Sequence, residues 1–196
     1  GEKNIVYVRC DITDNNKNDP VPEYYSRSVS PRQKPQAAVA LGNIEYDFIP
    51  LRHKELEEMG QLATIKYKKA GYEATCYTRT NGTLIGNIFK NPKTQVFMML
   101  GHGDAGEMEF TNKTGFGFAS IPLYVTSKWQ CHPLNPLHPT IREIGLLGCE
   151  THNNKWPESF FRLEKYQAYR DKVWSTSFSS RIVTYVKNLK PTAPRI

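Results

Sequence analysis

The sequence has few cysteines and no long hydrophobic run. Its four cysteines, at positions 10, 76, 131 and 149, are spread over 196 residues and form no CxxC pair. A chain of this length can bury a sizeable core, so this spacing excludes a disulfide-held scaffold and favours free thiols in a reducing setting. No apolar run exceeds five residues, as at 96–100, and none is long enough for a membrane-spanning helix. The first residues, Gly-Glu-Lys-Asn, carry no signal-peptide pattern.

Acidic residues are scarce in one part of the chain. Residues 165–196 contain one acidic residue, Asp171, and seven basic ones: Lys165, Arg170, Lys172, Arg181, Lys187, Lys190 and Arg195. They account for six of the seven net positive charges. This bias indicates an anionic partner such as a polyphosphate, an anionic lipid or a nucleic acid, with a solvated basic surface as the competing interpretation. Because no Arg/Lys-rich run, zinc-finger spacing or RNP-like motif is present, no nucleic-acid partner is predicted.

The order of predicted elements indicates an α/β fold. Segments rich in β-branched, aromatic or continuous apolar residues predict strands, at 4–9, 72–80, 94–100, 141–147, 172–177 and 182–186. Apolar residues at helical spacing predict helices at 51–70, where Gly71 suits the C-cap, and at 157–169. Strands that alternate with helices favour a mostly parallel sheet with right-handed crossovers. We expect a single domain, residues 1–196, with a loop-rich segment at about 11–36.

The predicted strands at 94–100 and 141–147 are each followed by a residue that can carry out chemistry. Residues 94–100 lead to His102, and residues 141–147 lead to Cys149. Active sites of open α/β sheets lie at the carboxyl ends of the strands, so an imidazole and a thiol would meet there. Histidine can lower the pKa of a cysteine thiol or accept its proton, which makes the sulfur a nucleophile. The amides of Gly103 and Cys149 are candidates for an oxyanion hole.

These two motifs resemble those of the caspase-like (clan CD) cysteine peptidases. The first strand runs into MLGHGDAG and the second into LLGCET, with a separation of 47 residues between His102 and Cys149. The histidine segment is similar to that of the caspases, whereas the cysteine segment lacks their Gln-Ala-Cys-Arg-Gly. Together the motifs look most like the self-processing cysteine protease domains of large bacterial toxins. The resemblance covers residues 94–104 and 137–150, and more weakly 172–186.

The resemblance implies a caspase-like three-layer sandwich, with a mostly parallel central sheet flanked by helices, and a cysteine endopeptidase activity. It assigns Cys149 as the nucleophile and His102 as the general base and later acid, with the amides of Gly103 and Cys149 as the oxyanion hole. The toxin domains have an orienting carboxylate upstream of the histidine, for which Asp47 is the candidate here. The substrate pocket would be lined from a strand that contains Trp174, Ser177, Phe178 and Arg181.

Two substrate preferences follow from that pocket. Arg181 would pair with an acidic side chain, whereas Trp174 and Phe178 would suit an apolar one such as leucine. The resemblance implies a protein or peptide substrate, either the chain's own precursor or a host protein. It also implies a toxin or effector that is secreted and acts in the host cytosol.

The resemblance implies no cofactor for the chemistry, but it implies an activator. The toxin domains are switched on by inositol hexakisphosphate bound to a basic flap, and residues 165–196 would offer the basic side chains for it, although only 47 residues follow Cys149 here. The spacing of the histidines and cysteines near the second motif matches no familiar zinc site, so no metal is predicted. These potential donors are Cys131, His132, His138, Cys149 and His152.

Two other function classes fit the same sequence. One is a catalytically silent caspase-like module that binds a polyanion or a protein partner, with His102 and Cys149 as a structural pair. The other is an unrelated basic α/β domain that binds nucleic acid. A peptidyl probe that labels Cys149 alone among the four cysteines would separate the peptidase from both.

Overall fold

The computed structural model describes residues 5–11, 34–42, 50–104, 107–110, 115–119, 129–133, 140–152, 163–171 and 175–196. These residues form ten strands and three helices. In chain order they are β1 (Ile5–Asp11), β2 (Gln36–Leu41), α1 (Pro50–Ala70), β3 (Glu73–Tyr77), α2 (Gly82–Lys90), β4 (Thr94–Leu100), β5 (Gly103–Asp104), β6 (Glu107–Glu109), β7 (Gly115–Ala119), β8 (Trp129–Pro133), β9 (Glu143–Leu147), β10 (Lys165–Gln167) and α3 (Ser175–Lys187). Most of the predicted loop, residues 12–33, lies outside the described residues.

The central sheet has five strands, all parallel, in the order β10-β9-β4-β2-β3. The strands predicted at 94–100 and 141–147 are β4 and β9, and they are direct neighbours. Every residue of β9 is buried, and so is every residue of β4 except Gln95. Such burial is expected of parallel strands that are covered on both faces. The predicted α/β class and the mostly parallel sheet are therefore confirmed.

Helices cover both faces of this sheet, which gives three layers. Successive residues of β4 point to opposite faces. Leu100 packs with α1 and α3, whereas Met99 packs with α2. Burying each such side chain contributes about 1.5–3 kcal/mol. The helices contribute Leu56, Met59, Ala63, Ile182 and Val186 to the first face and Ile85, Ile88 and Phe89 to the second.

The helix predicted at 51–70 is confirmed as α1, and Gly71 ends it. Gly71 has a φ of +112°, a conformation that residues with a side chain rarely adopt. The Gly71 amide donates to the Lys68 carbonyl at 3.0 Å, and the Tyr72 amide donates to the Tyr67 carbonyl at 3.1 Å. This pair of hydrogen bonds is a Schellman motif. The rings of Tyr67 and Tyr72 pack edge to face across the turn, with centroids 5.7 Å apart.

A second sheet is antiparallel, with the described strands in the order β5-β6-β7-β1-β8. Its β1 confirms the strand predicted at 4–9, but this strand does not belong to the parallel sheet. The other four strands come from residues 103–133, where the sequence patterns indicated no element. The β5–β6 hairpin follows the end of β4 directly, and Met108 and Phe110 pack into the core on the α2 side.

Helix α3 occupies 175–177 and 182–186, where the sequence predicted parts of two strands, so the strand predictions at 172–177 and 182–186 are wrong in their described parts. Ile182 and Val186, four residues apart, are both fully buried, whereas Thr184 between them is exposed. This is the buried stripe of an amphipathic helix, and α3 packs it against the sheet beside α1. Packing of the stripe overrides the strand preference of the Ser, Thr and Val residues around it.

The helix predicted at 157–169 is also wrong in its described part, because residues 165–167 form β10, parallel to β9. Tyr166 and Tyr169 are three residues apart, which resembles one face of a helix. In an extended chain the same spacing sends them to opposite faces. Tyr166 packs on the α2 side and Tyr169 on the α1 side. The sequence patterns indicated neither β2 nor α2.

Asn81 is the N-cap of α2, and its side-chain oxygen accepts a hydrogen bond from the Leu84 amide at 2.9 Å. We expect Asn81→Ala to lower the free energy of unfolding by about 1 kcal/mol in urea titrations, because the Leu84 amide loses its partner. Asn81→Asp keeps an acceptor oxygen and should lose much less. Equal losses in the two variants would contradict the capping role.

Candidate active site

His102 and Cys149 follow adjacent strands at the carboxyl edge of the central sheet. Leu100 of β4 and Leu147 of β9 are register partners. The Gly101 amide donates to the Leu147 carbonyl at 3.1 Å, which continues the pairing past the end of β4. His102 and Cys149 each come two residues after one of these leucines. The structure therefore brings the two residues to equivalent positions at one edge.

Two glycines allow the segments around these residues to pack closely. A Cβ atom on Gly148 would lie 2.6 Å from the Gly101 carbonyl oxygen and 3.1 Å from the Gly103 amide nitrogen. A Cβ atom on Gly103 would lie 2.6 Å from the Cys149 carbonyl oxygen. Neither position accepts a side chain unless the backbone moves. The backbones of Gly103 and Cys149 are thus neighbours, and the oxyanion-hole role of their amides stays a prediction.

The turn after Cys149 is bound to the segment that follows β10. Glu150 has a φ of +50°, and its amide donates to the Asp171 carbonyl at 3.0 Å. The His152 amide donates to the Tyr169 carbonyl at 2.9 Å. A left-handed conformation is unusual for a residue with a side chain. These hydrogen bonds hold it in place and define the course of the chain beyond the thiol.

Thr151 connects the same turn to β9 and to the segment that follows β10. Its side chain is fully buried, and its hydroxyl lies 2.7 Å from the Leu146 carbonyl, to which it donates. The same oxygen accepts from the Tyr169 amide at 3.2 Å. A buried hydroxyl with both a donor and an acceptor contact stabilises one conformation of the turn.

Cys149 forms no disulfide and is only 1% exposed. It belongs to the core cluster between the sheet and the helices α1 and α3, together with Leu147, Tyr169 and Ile182. A thiol this buried must be uncovered before a peptide bond can reach its sulfur. The candidate site is therefore closed in this structure, whereas His102 is only half-buried.

A second imidazole, His152, lies three residues after Cys149. Its Nδ1 atom is 3.1 Å from the Tyr166 hydroxyl, and the centroids of the two rings are 5.8 Å apart. Burial, and secondarily the positive charge of Arg170, lowers the pKa of His152. The sequence indicated this residue only as a potential zinc donor. Its neighbour Tyr166 could not be recognised because β10 was predicted as a helix.

Arg181 lies on α3 and not on a strand, which corrects the predicted pocket. Its guanidinium carbon is 4.7 Å from the centre of the Tyr169 ring, and one of its nitrogens is 3.9 Å from the Asp171 carboxylate. Tyr169 also belongs to the core cluster of Cys149. Arg181 is therefore connected to the surroundings of the thiol through one aromatic ring.

The other predicted site residues either lie on α3 or lie outside the described residues. Ser177 and Phe178 are in the first half of α3, again on a helix where a strand was predicted. Trp174 and Asp47 lie outside the described residues. The roles of these four residues stay predictions.

The basic residues of 165–196 differ in their surroundings. Two of them form ion pairs, Arg181 with Asp171 and Arg195 with Glu164. Lys165 lies 5.8 Å from the centre of the Tyr185 ring, and Lys172 lies outside the described residues. Arg170, Lys187 and Lys190 are exposed. A polyphosphate ligand stays a prediction.

Within the described ranges, no group of three or more His, Cys, Asp or Glu side chains could hold a metal ion. Cys131 and His132, two of the potential zinc donors, belong to β8, and His138 lies outside those ranges. The described helices also include none that is long and apolar enough to cross a membrane.

Comparisons with protein-family models, with curated proteins and with solved structures find no match to this chain. The resemblance to the clan CD peptidases stays a prediction from the two sequence motifs and their spacing.

We expect His152 to titrate below the usual 6.5 in an NMR titration of the histidine rings, because burial disfavours the charged imidazolium. Since the folded protein binds this proton less readily than the unfolded chain, its contribution to stability is lost as the pH falls from about 6.5 through the folded pKa. Arg170→Gln should raise the midpoint only partly, because burial is the larger cause. A titration midpoint of His152 at or above 6.5 would contradict the conclusion that burial lowers its pKa.

Proposed function

We propose that this protein is a cysteine endopeptidase with a caspase-like fold, in which Cys149 is the nucleophile and His102 is the general base. The observation that carries the proposal is the register of β4 and β9, in which Leu100 is paired with Leu147. Each proposed catalytic residue comes two residues after one of these leucines. Adjacent strands are about 4.8 Å apart, so side chains that follow such a pair can interact. The carboxyl edge is also where α/β folds bind ligands.

In the proposed reaction, His102 accepts the thiol proton of Cys149, and the sulfur attacks the carbonyl carbon of the scissile peptide bond. The amides of Gly103 and Cys149 donate to the oxyanion that forms. The C–N bond then breaks, and His102 gives its proton to the leaving amine, which leaves a thioester on Cys149. Water, deprotonated by His102, hydrolyses the thioester and restores the thiol. No cofactor is required for these steps.

The proposed substrate is a polypeptide, either the protein's own precursor or a host protein, as in the toxin domains that the motifs resemble. The setting of Arg181 supports an acidic residue before the scissile bond. Its ion pair with Asp171 joins side chains that are 45% and 79% exposed, at 3.9 Å. Exposed pairs of this kind contribute little, so a substrate carboxylate can replace Asp171. An apolar preference would instead depend on Trp174 and Phe178.

The burial of Cys149 favours a second candidate function. A cysteine that is 1% exposed within an apolar cluster also suits a purely structural role. The protein would then be a catalytically silent caspase-like module. Its ligand would be a protein partner or a polyanion such as inositol hexakisphosphate, bound through the basic residues of 165–196.

The nucleophile is tested with peptidyl acyloxymethyl ketones that carry leucine or aspartate next to the reactive group. We expect covalent labelling of Cys149, and loss of both labelling and self-cleavage in Cys149→Ala, because only a thiolate displaces the leaving group. Cys76→Ala is the control and should retain both. Thermal unfolding checks that each variant folds. Full retention of cleavage in folded Cys149→Ala would reject Cys149 as the nucleophile and with it the proposed peptidase mechanism.

The general base is tested by His102→Ala, with His152→Ala as the matched control at the same edge of the sheet. We expect His102→Ala to slow probe labelling at least about 100-fold, the usual effect of losing a positioned acid or base. His152→Ala should change the rate only slightly, since the proposed steps do not use its imidazole. If His152→Ala produced the larger loss, the assignment of the base would be wrong.

A further inference from the structure

Residues 189–196, here named the strap, cross the amino edge of the central sheet, which is the edge opposite the candidate site. The Thr192 hydroxyl donates to the Glu143 carboxylate at 2.9 Å, at the start of β9. The Gln95 side chain on β4 donates to the Arg195 carbonyl at 2.6 Å and accepts from the Arg195 amide at 2.9 Å. The strap is thus bound to the first residues of two neighbouring strands.

Charged groups beside β10 add to this attachment. Glu164 accepts from Arg142 at 2.6 and 2.9 Å, and it also pairs with Arg195. Arg142 donates in addition to the Ala193 carbonyl at 3.0 Å. One guanidinium therefore contacts both the strap and the carboxylate that pairs with it.

The strap also completes the hydrogen bonding of a buried acid. Glu143 is 4% exposed, and Thr192 is one of its two hydroxyl donors, the other being Tyr67 at 3.2 Å. A buried carboxylate that loses a donor is strongly destabilised. The folded protein therefore favours the bound strap over a detached one.

The strap continues directly from α3. Leu189 is buried in the core, and its amide donates to the Val186 carbonyl at 3.1 Å. The Lys66 ammonium of α1 donates to the carbonyls of Val186, Lys187 and Leu189 at 2.8, 2.6 and 3.1 Å. A cation there also interacts favourably with the negative end of the helix dipole. The strap and α1 together hold the carboxyl end of α3.

The middle of the same helix contributes to the apolar surroundings of the candidate nucleophile. Ile182 is fully buried and belongs to the cluster that contains Cys149. Its neighbour Arg181 stacks on Tyr169, which is hydrogen-bonded to Thr151 in the turn after the thiol. Helix α3 is one wall of the closed site.

We propose that the strap is a latch that keeps Cys149 covered. By binding the amino edge of the sheet, it holds α3 in the position where Ile182 is part of the core cluster that contains the thiol. In this proposal, release of the carboxyl end of α3 lets the helix separate from that cluster, which uncovers Cys149 at the other end of the sheet. The proposal rests on the burial of Cys149 and on these contacts, and it holds whether or not the thiol is catalytic.

The latch is tested by the rates at which iodoacetamide alkylates Cys149 and Cys76 in the folded protein, resolved by peptide mass spectrometry. Thr192→Val removes the donor to Glu143 and should raise the Cys149 rate on the order of tenfold. Cys76 is the internal reference, because it lies on β3 and the latch does not cover it. Thr184→Val makes the same chemical change at an exposed position of α3 and should alter neither rate.

A second variant, Gln95→Ala, detaches the strap from β4 without changing either hydroxyl donor of Glu143. It should also accelerate alkylation of Cys149, and amide hydrogen exchange should quicken at 182–186 of α3 more than in α1. An unchanged Cys149 rate in both variants would overturn the latch. So would equal acceleration at Cys76, which reports general loosening. If both variants accelerate alkylation of Cys149 but neither they nor the unaltered protein show peptidase activity, the latch is supported and only the proposed function is rejected.

Discussion

The parallel pairing of β4 with β9 is the contact on which the rest of the structure depends. It aligns residues 96–100 with 143–147, and helices cover both faces of the two strands. Because successive side chains point to opposite faces, a shift of one residue would exchange the groups that meet α1 and α3 with those that meet α2. The same shift would move His102 and Cys149 out of alignment. Core packing and the geometry of the candidate site therefore depend on one register.

The two edges of the central sheet are built from different interactions. At the carboxyl edge, Gly103 and Gly148 allow backbones to approach within distances that a side chain would prevent. At the amino edge, Glu143 and Arg142 bind the segment that follows α3 through hydrogen bonds, and Glu164 forms an ion pair with Arg195 of that segment. Close backbone contact at the carboxyl edge is compatible with the proposed oxyanion hole. A polar network suits an edge where a chain segment must be held in one position.

Helix α3 connects the two edges, because its carboxyl end adjoins the polar network and Ile182, near its middle, belongs to the core cluster of Cys149. This arrangement explains how a potentially reactive thiol can be fully covered in a stable fold. Burial of Cys149 and Ile182 contributes to the core, and the same burial denies access to the sulfur. If the proposed peptidase is correct, its activity requires a rearrangement that exposes the sulfur of Cys149, in addition to the arrival of a substrate.

Much of the parallel sheet could be predicted from the sequence. Residues 96–100 and 144–147 are apolar apart from Gly145, and such a pattern is typical of strands that are buried on both faces. The left-handed C-cap of α1 could also be predicted from neighbouring residues, because Gly71 follows the helical pattern and glycine adopts a positive φ without strain. The positions of His102 and Cys149 at strand ends could be read in the same way. These features depend on residues that are close together in the chain.

The elements that the sequence misassigned depend on distant contacts. The residues of α3 are rich in Ser, Thr and Val, and only packing against the sheet beside α1 makes them helical. Tyr166 and Tyr169 resemble a helix face until pairing with β9 extends the chain. Helix α3, which begins 26 residues after Cys149, contributes Ile182 to the cluster in which Cys149 is buried. Local patterns thus determined the strands and the positions of His102 and Cys149 after them, whereas tertiary packing decided the surroundings that bury Cys149, because burial is a property of neighbours that are remote in the chain.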